Sequence, residues 1–275
     1  MSFRKRDKIM NIKECFDALM ASLQKSDGVL SIGKSGGEKL PEKDESDIDI
    51  FVICDSVPSV EERQNAVESL GDAVTGSSIH ETAGRFWGVC DFIFVSGADI
   101  CLMYFTAAGM DAEIETVLNG SRLNREDEYF YPTGRCASFL SMHILCDKTG
   151  YIAGMKKRLA DYPRHLAEMQ FNYHIKKIND AEDFSRAVSR GDVLFYHAVL
   201  ESALDHYLQA LFALNRRYFP GRKRSLQFIE QFDIKPDECA FRLLRTIELG
   251  ASEETLHQSY KIWSALCDEL KGFFV

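Results

Sequence analysis

Two short stretches decide the fold: residues 31–37, with the sequence SIGKSGG, and residues 46–52, with the sequence SDIDIFV. In the first, an apolar strand runs into a glycine-rich turn, where backbone N–H groups can approach an anion closely because glycine has no side chain. In the second, Asp47 and Asp49 are two residues apart on a strand, so their side chains point to one face and the isoleucines to the other. Together the stretches predict a strand–turn–strand unit with one buried face and two carboxylates on the opposite face.

The paired carboxylates of Asp47 and Asp49 are a candidate metal site. Two carboxylates held side by side raise each other's pKa unless a cation lies between them. Mg²⁺ prefers oxygen ligands and is usually bound by one or two carboxylates together with substrate phosphates. Each half alone is weak evidence, because an Asp-x-Asp pair is more often a solvated strand end and a glycine-rich turn is usually only a turn. Their combination in one unit favours a phosphate-binding turn beside a metal site, which suits nucleotidyl transfer.

Residues 32–35 and 46–50 resemble the signature of the minimal nucleotidyltransferases of the polymerase-beta superfamily, which include the aminoglycoside and lincosamide nucleotidyltransferases. Lys34 is a departure, because many members have Gly or Ser at that position. The resemblance implies that Asp47 and Asp49 are catalytic metal ligands that help to hold two Mg²⁺ ions. It also implies a triphosphate-binding set, which in this chain is Gly33, Lys34, Ser35 and Ser46.

The same resemblance implies a third metal-binding carboxylate on a later strand, for which the chain offers Asp91 and Asp99. Asp99 opens the apolar run of residues 100–105, which resembles the last active-site strand of the family. It can also lie at a sheet end, where functional loops gather. Asp91 lies inside an apolar run, where a hydrogen-bonded strand residue is the competing interpretation. We therefore predict Asp99 as the third catalytic metal ligand and keep Asp91 as the alternative.

The hydrophobic spacing predicts an α+β fold: a nucleotidyltransferase-type mixed sheet with flanking helices in residues 1–148, followed by an all-α helical-bundle acceptor domain in residues 149–275. In the first part we expect helices at 7–24, 58–70 and 111–118, and strands at 29–32, 48–53, 76–80, 86–95 and 99–105. In the second part we expect helices at 155–178, with a break or start at Pro163, and at 184–218, 225–232, 237–249 and 255–273.

The helical part supplies two further candidates. The segment 210–224 resembles the helical domain of certain stand-alone nucleotidyltransferases, and Lys223 could reach the triphosphate from it. The competing interpretation is a set of cations placed favourably at a helix C-terminus. Glu201 shares a helix face with Asp205, and such a carboxylate could accept the proton of an acceptor hydroxyl as a general base. A solvated helix stripe or an intrahelical pair is the competing interpretation here.

Charge and hydropathy exclude other classes of function. The chain has 33 Lys and Arg against 42 Asp and Glu, a formal net charge of −9, which disfavours a protein that wraps a nucleic-acid backbone. Residues 1–14 contain no apolar stretch of the kind that a signal peptide needs, and the apolar runs are too short to cross a bilayer. We therefore expect a cytoplasmic protein that binds no membrane and no nucleic acid.

These observations predict a Mg²⁺-dependent enzyme that moves a nucleoside monophosphate, AMP from ATP or the equivalent from another NTP, to a hydroxyl of a small molecule. An antibiotic is one candidate acceptor, which the variable helical part would recognise. Two alternatives stay open. One is a protein-modifying or toxin–antitoxin nucleotidyltransferase that acts on a protein hydroxyl, and the other is an inactive nucleotide-binding module. A homodimer is also left open.

Overall fold

The computed structural model describes residues 11–40, 47–84, 86–95, 98–125 and 130–273. Contacts divide the chain into two compact units. The first comprises the described residues up to Glu115 together with Ser138–Asp161, and the second comprises Thr116–Ala137 and the described residues from Tyr162 onwards. The α+β prediction is confirmed: the first unit contains a mixed sheet with flanking helices, and the second is helical.

In chain order the strands are β1 (Val29–Lys34), β2 (Ile48–Cys54), β3 (Val74–Gly84), β4 (Gly88–Val95), β5 (Ala98–Thr106) and β6 (His143–Asp147). The α-helices are α1 (Ile12–Leu23), α2 (Val60–Glu68), α3 (Ala107–Leu118), α4 (Pro132–Ser141), α5 (Tyr151–Leu159), α6 (Arg164–His174), α7 (Ala181–Arg190), α8 (Val193–Leu214), α9 (Ser225–Glu230), α10 (Cys239–Leu249) and α11 (Leu256–Gly272). Short 3₁₀ turns lie at Gly71–Ala73, Ile175–Lys177 and Glu253–Thr255.

The sheet has the strand order β3-β4-β5-β2-β1-β6. Strand β2 runs parallel to β5, whereas the other neighbouring strands pair in antiparallel fashion. Along β2, Asp49 is exposed and the other residues are buried. Ile48, Ile50 and Val52 belong to a core shared with α1 and α2. The other face carries the exposed Asp49 and the buried Phe51, whose ring packs against Phe105 and Phe139.

Strand β6 and helix α4 are absent from the sequence-based prediction, which placed no helix or strand between residues 119 and 148. Strand β6 pairs with β1, in a register that joins Ile32 to Cys146 and Gly33 to Ile144. Every residue of β6 is half-buried, so it lacks the alternation of apolar and polar residues that marks a strand in a sequence.

The second unit contains a break that the sequence-based prediction missed. We expected one helix over residues 184–218, but α7 ends at Arg190 and α8 begins at Val193. Gly191 follows α7 with a φ of 63°, the left-handed conformation that favours glycine at a helix end. The side chain of Asp192 then accepts a hydrogen bond from Phe195 N at 3.0 Å and caps α8. The expected break near Pro163 is confirmed, because α5 ends at Leu159 and α6 begins at Arg164.

Helices α6 to α11 pack around a separate hydrophobic core. Its largest fully buried side chains are Trp263, Tyr196, Tyr207, Phe184 and Phe212. None of the helices in the described parts of the chain combines the length and the apolar character needed to cross a membrane.

Gly33 occupies a position in β1 where a side chain has no room. An added Cβ would lie 2.1 Å from Met142 Sδ and 2.5 Å from Met142 Cγ. We expect Gly33→Ala to lower the free energy of unfolding by about 1–3 kcal/mol through overpacking. The loss of unfolding free energy should be smaller in a Met142→Ala background. Urea unfolding of the unaltered protein, the two single variants and the double variant would measure it. Equal losses in both backgrounds would contradict a clash with Met142 as the cause.

Gly154→Ala is the matched control for this prediction. No atom would lie within 4 Å of a Cβ added to Gly154, which sits inside α5. Because alanine is a better helix former than glycine, this substitution should be neutral or stabilise the protein by about 0.5–1 kcal/mol.

Candidate functional site

The turn after β1 is open and is tied to β2 at its base. Gly36 and Gly37 have φ values of 78° and 89°, and a Cβ added to either would meet no atom within 4 Å. Ser35 N donates a hydrogen bond to Asp49 O at 2.9 Å, which fixes the turn against the strand that carries the aspartates. Gly36 and Gly37 are missing from the predicted binding set, although the Gly-Gly pair in the sequence is a signal for such a turn.

Gly33 and Lys34 have surroundings that the sequence did not predict. The space beside Gly33 is filled by Met142 and Ile152, so this glycine permits packing of side chains against β1. Lys34 is only 3% exposed, and its Nζ donates to Ser35 O at 3.2 Å. Burial lowers the pKa of Lys34, and attraction to Asp49 opposes that shift. Lys34 lies opposite Ile50 in the pairing of β1 with β2, so its side chain leaves the strand on the core face and not on the face of Asp49.

The three predicted metal ligands are exposed, and the strand register places two of them on one face. Asp49 pairs with Cys101 in the parallel ladder of β2 and β5, and Asp99 lies two residues before Cys101 on β5. Residues two apart on a strand share a face, so Asp49 and Asp99 lie on the same side of the sheet, opposite the core. Asp47 immediately precedes β2 and is exposed. Ser46 lies outside the described residues.

Cys101 is a neighbour of the carboxylates that sequence reasoning missed. Its pKa is raised by a hydrogen bond with Cys90, then by burial, and further by the negative charges of Asp49 and Asp47. Both aspartates therefore act on the same thiol, which stays protonated at neutral pH. Only the parallel register of β2 and β5 could have revealed this neighbour, and a single sequence does not give that register.

The chemistry of these donors suits a hard cation. Carboxylate oxygens are the ligands that Mg²⁺ prefers, and Asp47, Asp49 and Asp99 supply them on the exposed side of neighbouring strands. As placed, however, the described residues contain no group of three or more His, Cys, Asp or Glu side chains gathered closely enough to hold one metal ion. One ion bound by all three carboxylates would need them closer together, whereas Mg²⁺ is usually held by one or two carboxylates with substrate phosphates.

Asp91, the alternative third ligand, lies on the other face of the sheet. It is fully buried, and its carboxylate forms an ion pair with Arg63 of α2. His80 N also donates to it at 3.2 Å, while Arg63 donates to His80 O at 2.9 Å and to Pro58 O at 3.1 Å. Burial raises the pKa of Asp91, whereas the contacts with Arg63 oppose that shift. The geometry therefore gives Asp91 a structural role in the core.

Glu201 and Lys223, the candidates from the helical part, belong to the second unit. Glu201 Oε1 lies 2.5 Å from a guanidinium nitrogen of Arg222. Arg222 Nε also donates to Asp205 at 2.8 Å, and Tyr131 donates its hydroxyl hydrogen to the same carboxylate oxygen at 2.5 Å. Glu201 is therefore part of an ion-pair network with the segment that follows α8. Lys223, in that segment, is exposed.

A histidine pair lies next to this network. Nε2 of His174 faces two acceptors, Leu123 O and Gln170 Oε1, both at 3.0 Å, so it carries the proton. His174 Nδ1 must then accept the hydrogen bond from His206 Nδ1 at 2.8 Å. Burial, followed by repulsion from His206, lowers the pKa of His174 to about 3. This histidine is therefore neutral in the folded protein over the whole physiological range.

Comparison with known proteins gives two similarities. The model of a domain of unknown function, DUF4037, matches residues 131–224. Among solved structures, the chain is similar to a nucleotidyltransferase-like protein from Exiguobacterium sibiricum 255-15, with 14% identity and a TM-score of 0.47 over 96% of this chain and 74% of the other. No curated protein matches the chain.

The contrast between Asp91 and Asp99 can be tested by stability. Asp91→Ala leaves the Arg63 guanidinium buried without its counter-ion, and we expect it to cost about 3–5 kcal/mol of unfolding free energy. Asp99→Ala removes an exposed side chain and should change stability by no more than about 0.5 kcal/mol. Urea unfolding measures both. A double substitution, Asp91→Leu with Arg63→Met, should recover much of the loss, and a small effect of Asp91→Ala alone would contradict the structural role.

The neutral His174 should make the protein less stable in acid. An unfolded histidine, with a pKa near 6.5, takes up a proton below that pH, whereas His174 in the folded chain does not until about pH 3. Stability is therefore fully present above about pH 6.5 and is lost as the pH falls. Between pH 7 and pH 5 this one group should cost about 2 kcal/mol.

Between pH 7 and pH 5, His174→Gln should lose about 2 kcal/mol less unfolding free energy than the unaltered protein, as measured by urea unfolding. His257→Gln, which changes an exposed histidine, should lose as much as the unaltered protein. Parallel pH profiles for the protein and His174→Gln would refute the assignment.

Proposed function

We propose that the protein is a Mg²⁺-dependent nucleotidyltransferase. It would transfer a nucleoside monophosphate, with ATP as the first choice of donor, to a hydroxyl of a small molecule. The observation that supports this best is the hydrogen bond from Ser35 N to Asp49 O, which places an open Gly-Gly turn against the strand that presents Asp49. A phosphate-binding turn and an exposed carboxylate thus share one short strand–turn–strand unit, as the resemblance of the motif requires.

In this proposal Asp47, Asp49 and Asp99 would hold the metal. Mg²⁺ in such a site neutralises the triphosphate and the departing pyrophosphate and activates the acceptor hydroxyl. The backbone N–H groups at Gly36 and Gly37, together with the Ser35 hydroxyl, would bind phosphate oxygens. These glycines suit that task because their φ values are positive and no side chain stands in the way.

Glu201 and Lys223 belong to the second unit. Acceptance of the hydroxyl proton by Glu201 and triphosphate binding by Lys223 stay predictions from the sequence. The net charge of −9 favours a neutral or cationic small molecule over nucleic acid as the acceptor.

A second candidate function is a nucleotide-binding module that performs no transfer. Lys34 favours it, because many members of the family have Gly or Ser at that position of the motif, whereas this chain has a buried lysine. The two candidate functions differ in metal dependence and in product. The enzyme requires Mg²⁺ and releases pyrophosphate, whereas the binding module would bind the nucleotide without Mg²⁺ and would release no pyrophosphate.

Ligand binding can be measured by thermal unfolding with each of the four NTPs, with and without Mg²⁺. A nucleotide at 100 times its dissociation constant should add about 2.7 kcal/mol of stability. We expect one NTP to stabilise the protein in a Mg²⁺-dependent manner, and Asp47→Asn, Asp49→Asn and Asp99→Asn each to abolish the effect. Asp55→Asn, which alters an exposed aspartate just after β2, is the matched control and should leave it intact.

The outcomes separate the candidates. Mg²⁺-dependent binding with pyrophosphate release in the presence of a hydroxyl compound supports the transferase. Metal-independent binding that survives the aspartate substitutions supports the binding module. The absence of any shift with all four nucleotides would reject both.

A further inference from the structure

Helix α1 and the edge strand β6 form a groove that the proposed function does not use. Its volume is about 290 Å³. Four residues of α1, the C-cap Gln24 and one residue of β6 line it, and four of the six are apolar: Phe16, Asp17, Met20, Ala21, Gln24 and Leu145. Of the polar members, Asp17 lies on the helix and Gln24 caps its C-terminus. We call this feature the α1–β6 groove.

The β6 side of the groove is the edge of the sheet. Strand β6 is last in the strand order and pairs only with β1 among the strands that the structure describes. Lys148 N donates to Leu30 O at 3.0 Å, so this amide faces β1. Backbone groups alternate in direction along a strand, so the amide of Asp147 points to the open side. The amide of Asp147 is therefore a backbone donor at the open edge, while Asp147 O accepts a hydrogen bond from Gly150 N at 3.4 Å. The register with β1 shifts at Leu145, between the pairs Ile32–Cys146 and Gly33–Ile144.

The α1 side of the groove is rigid. Phe16 and Met20 are only 5% and 4% exposed, because most of each side chain packs into the core of the sheet. A capping box formed by Asn11 and Glu14 fixes the start of the helix. Ala21 is exposed and too small to fill the space. The apolar wall is thus held in place before any ligand arrives, which lowers the entropic cost of binding.

We propose that the α1–β6 groove binds an extended peptide segment of a partner protein. The peptide backbone would add a strand to β6, and one large apolar side chain would fill the space against Phe16, Met20 and Leu145. Addition of a strand to a sheet edge uses main-chain hydrogen bonds for affinity and side-chain pockets for specificity. An extended chain is the occupant that satisfies both the strand edge and the apolar wall.

Charge adds a preference for a basic residue in the peptide. Asp17 lines the groove, and its side chain is 58% exposed. It pairs with Lys13 at 2.8 Å, but an exposed pair of this kind is weak and can be exchanged. A Lys or Arg two residues from the apolar anchor lies on the same side of an extended peptide and can reach Asp17.

The test uses the full chain and four dye-labelled heptapeptides with the pattern Thr-Lys-Thr-X-Thr-Lys-Thr, in which X is Leu, Ile, Met or Phe. Fluorescence anisotropy gives the dissociation constants, and amide chemical shifts of the ¹⁵N-labelled protein locate the contact. We expect at least one peptide to bind and to shift amides of β6. A peptide with Asp at X, or with N-methyl groups on alternate backbone nitrogens, should bind at least tenfold more weakly.

Ala21→Phe fills the groove from the helix side and should weaken binding at least tenfold. Ala108→Phe makes the same change at an exposed position of α3 outside the groove and should leave the affinity unchanged. The proposal would be overturned if none of the four peptides bound, if Ala21→Phe had no effect, or if N-methylation had no effect. Dimerisation of the protein that is lost in Ala21→Phe would assign the groove to a second copy of the chain and would overturn it too.

Discussion

The two-residue alternation of side chains along β2, held between β1 and β5, is the constraint on which the rest of the first unit depends. It directs Ile48, Ile50 and Val52 into the core beneath α1 and α2 and leaves Asp49 on the other face. In the parallel pairing of β2 with β5, Asp49 lies opposite Cys101, and both side chains point to the same face. Asp99 is two residues before Cys101, so its side chain lies on the face of Asp49 as well. A shift of one residue in this register would bury both carboxylates, so the packing of the core also positions the candidate site.

The same alternation explains why two aspartates of neighbouring strands have opposite roles. Asp91 pairs in register with Leu102, a core residue, so its side chain enters the core. A buried carboxylate needs a counter-ion, and Arg63 of α2 supplies one. Asp99 pairs with Phe94, which is 39% exposed, on the opposite side. One residue type thus serves structure on one face of the sheet and is available for chemistry on the other.

The sequence was sufficient for the elements whose pattern is local. The strand predicted over residues 48–53 and the glycine turn before it agree with the structure, whereas the choice of Asp99 over Asp91 as a metal ligand stays a prediction. The failures have non-local causes. Strand β6 is half-buried throughout and is recognised only by its pairing with β1, more than a hundred residues earlier in the chain. The burial of Lys34 and the role of Gly33 depend on packing that the local sequence does not specify. By contrast, the Gly191-Asp192 break carried a local capping signal that continuous apolar periodicity concealed.

The match to the domain of unknown function covers Glu201 and Lys223 but not the glycine turn or the candidate metal ligands. It spans residues 131–224, which include Tyr131, Asp205 and Arg222 of the ion-pair network but none of the candidate metal ligands. The network joins residues 74 apart in sequence through a nearly buried carboxylate, and such a group tolerates few substitutions because each partner must remain satisfied. A sequence pattern for this helical segment is therefore expected on structural grounds alone. Asp47, Asp49 and Asp99 lie outside the matched segment, and the proposed activity depends on the face of the sheet that carries them.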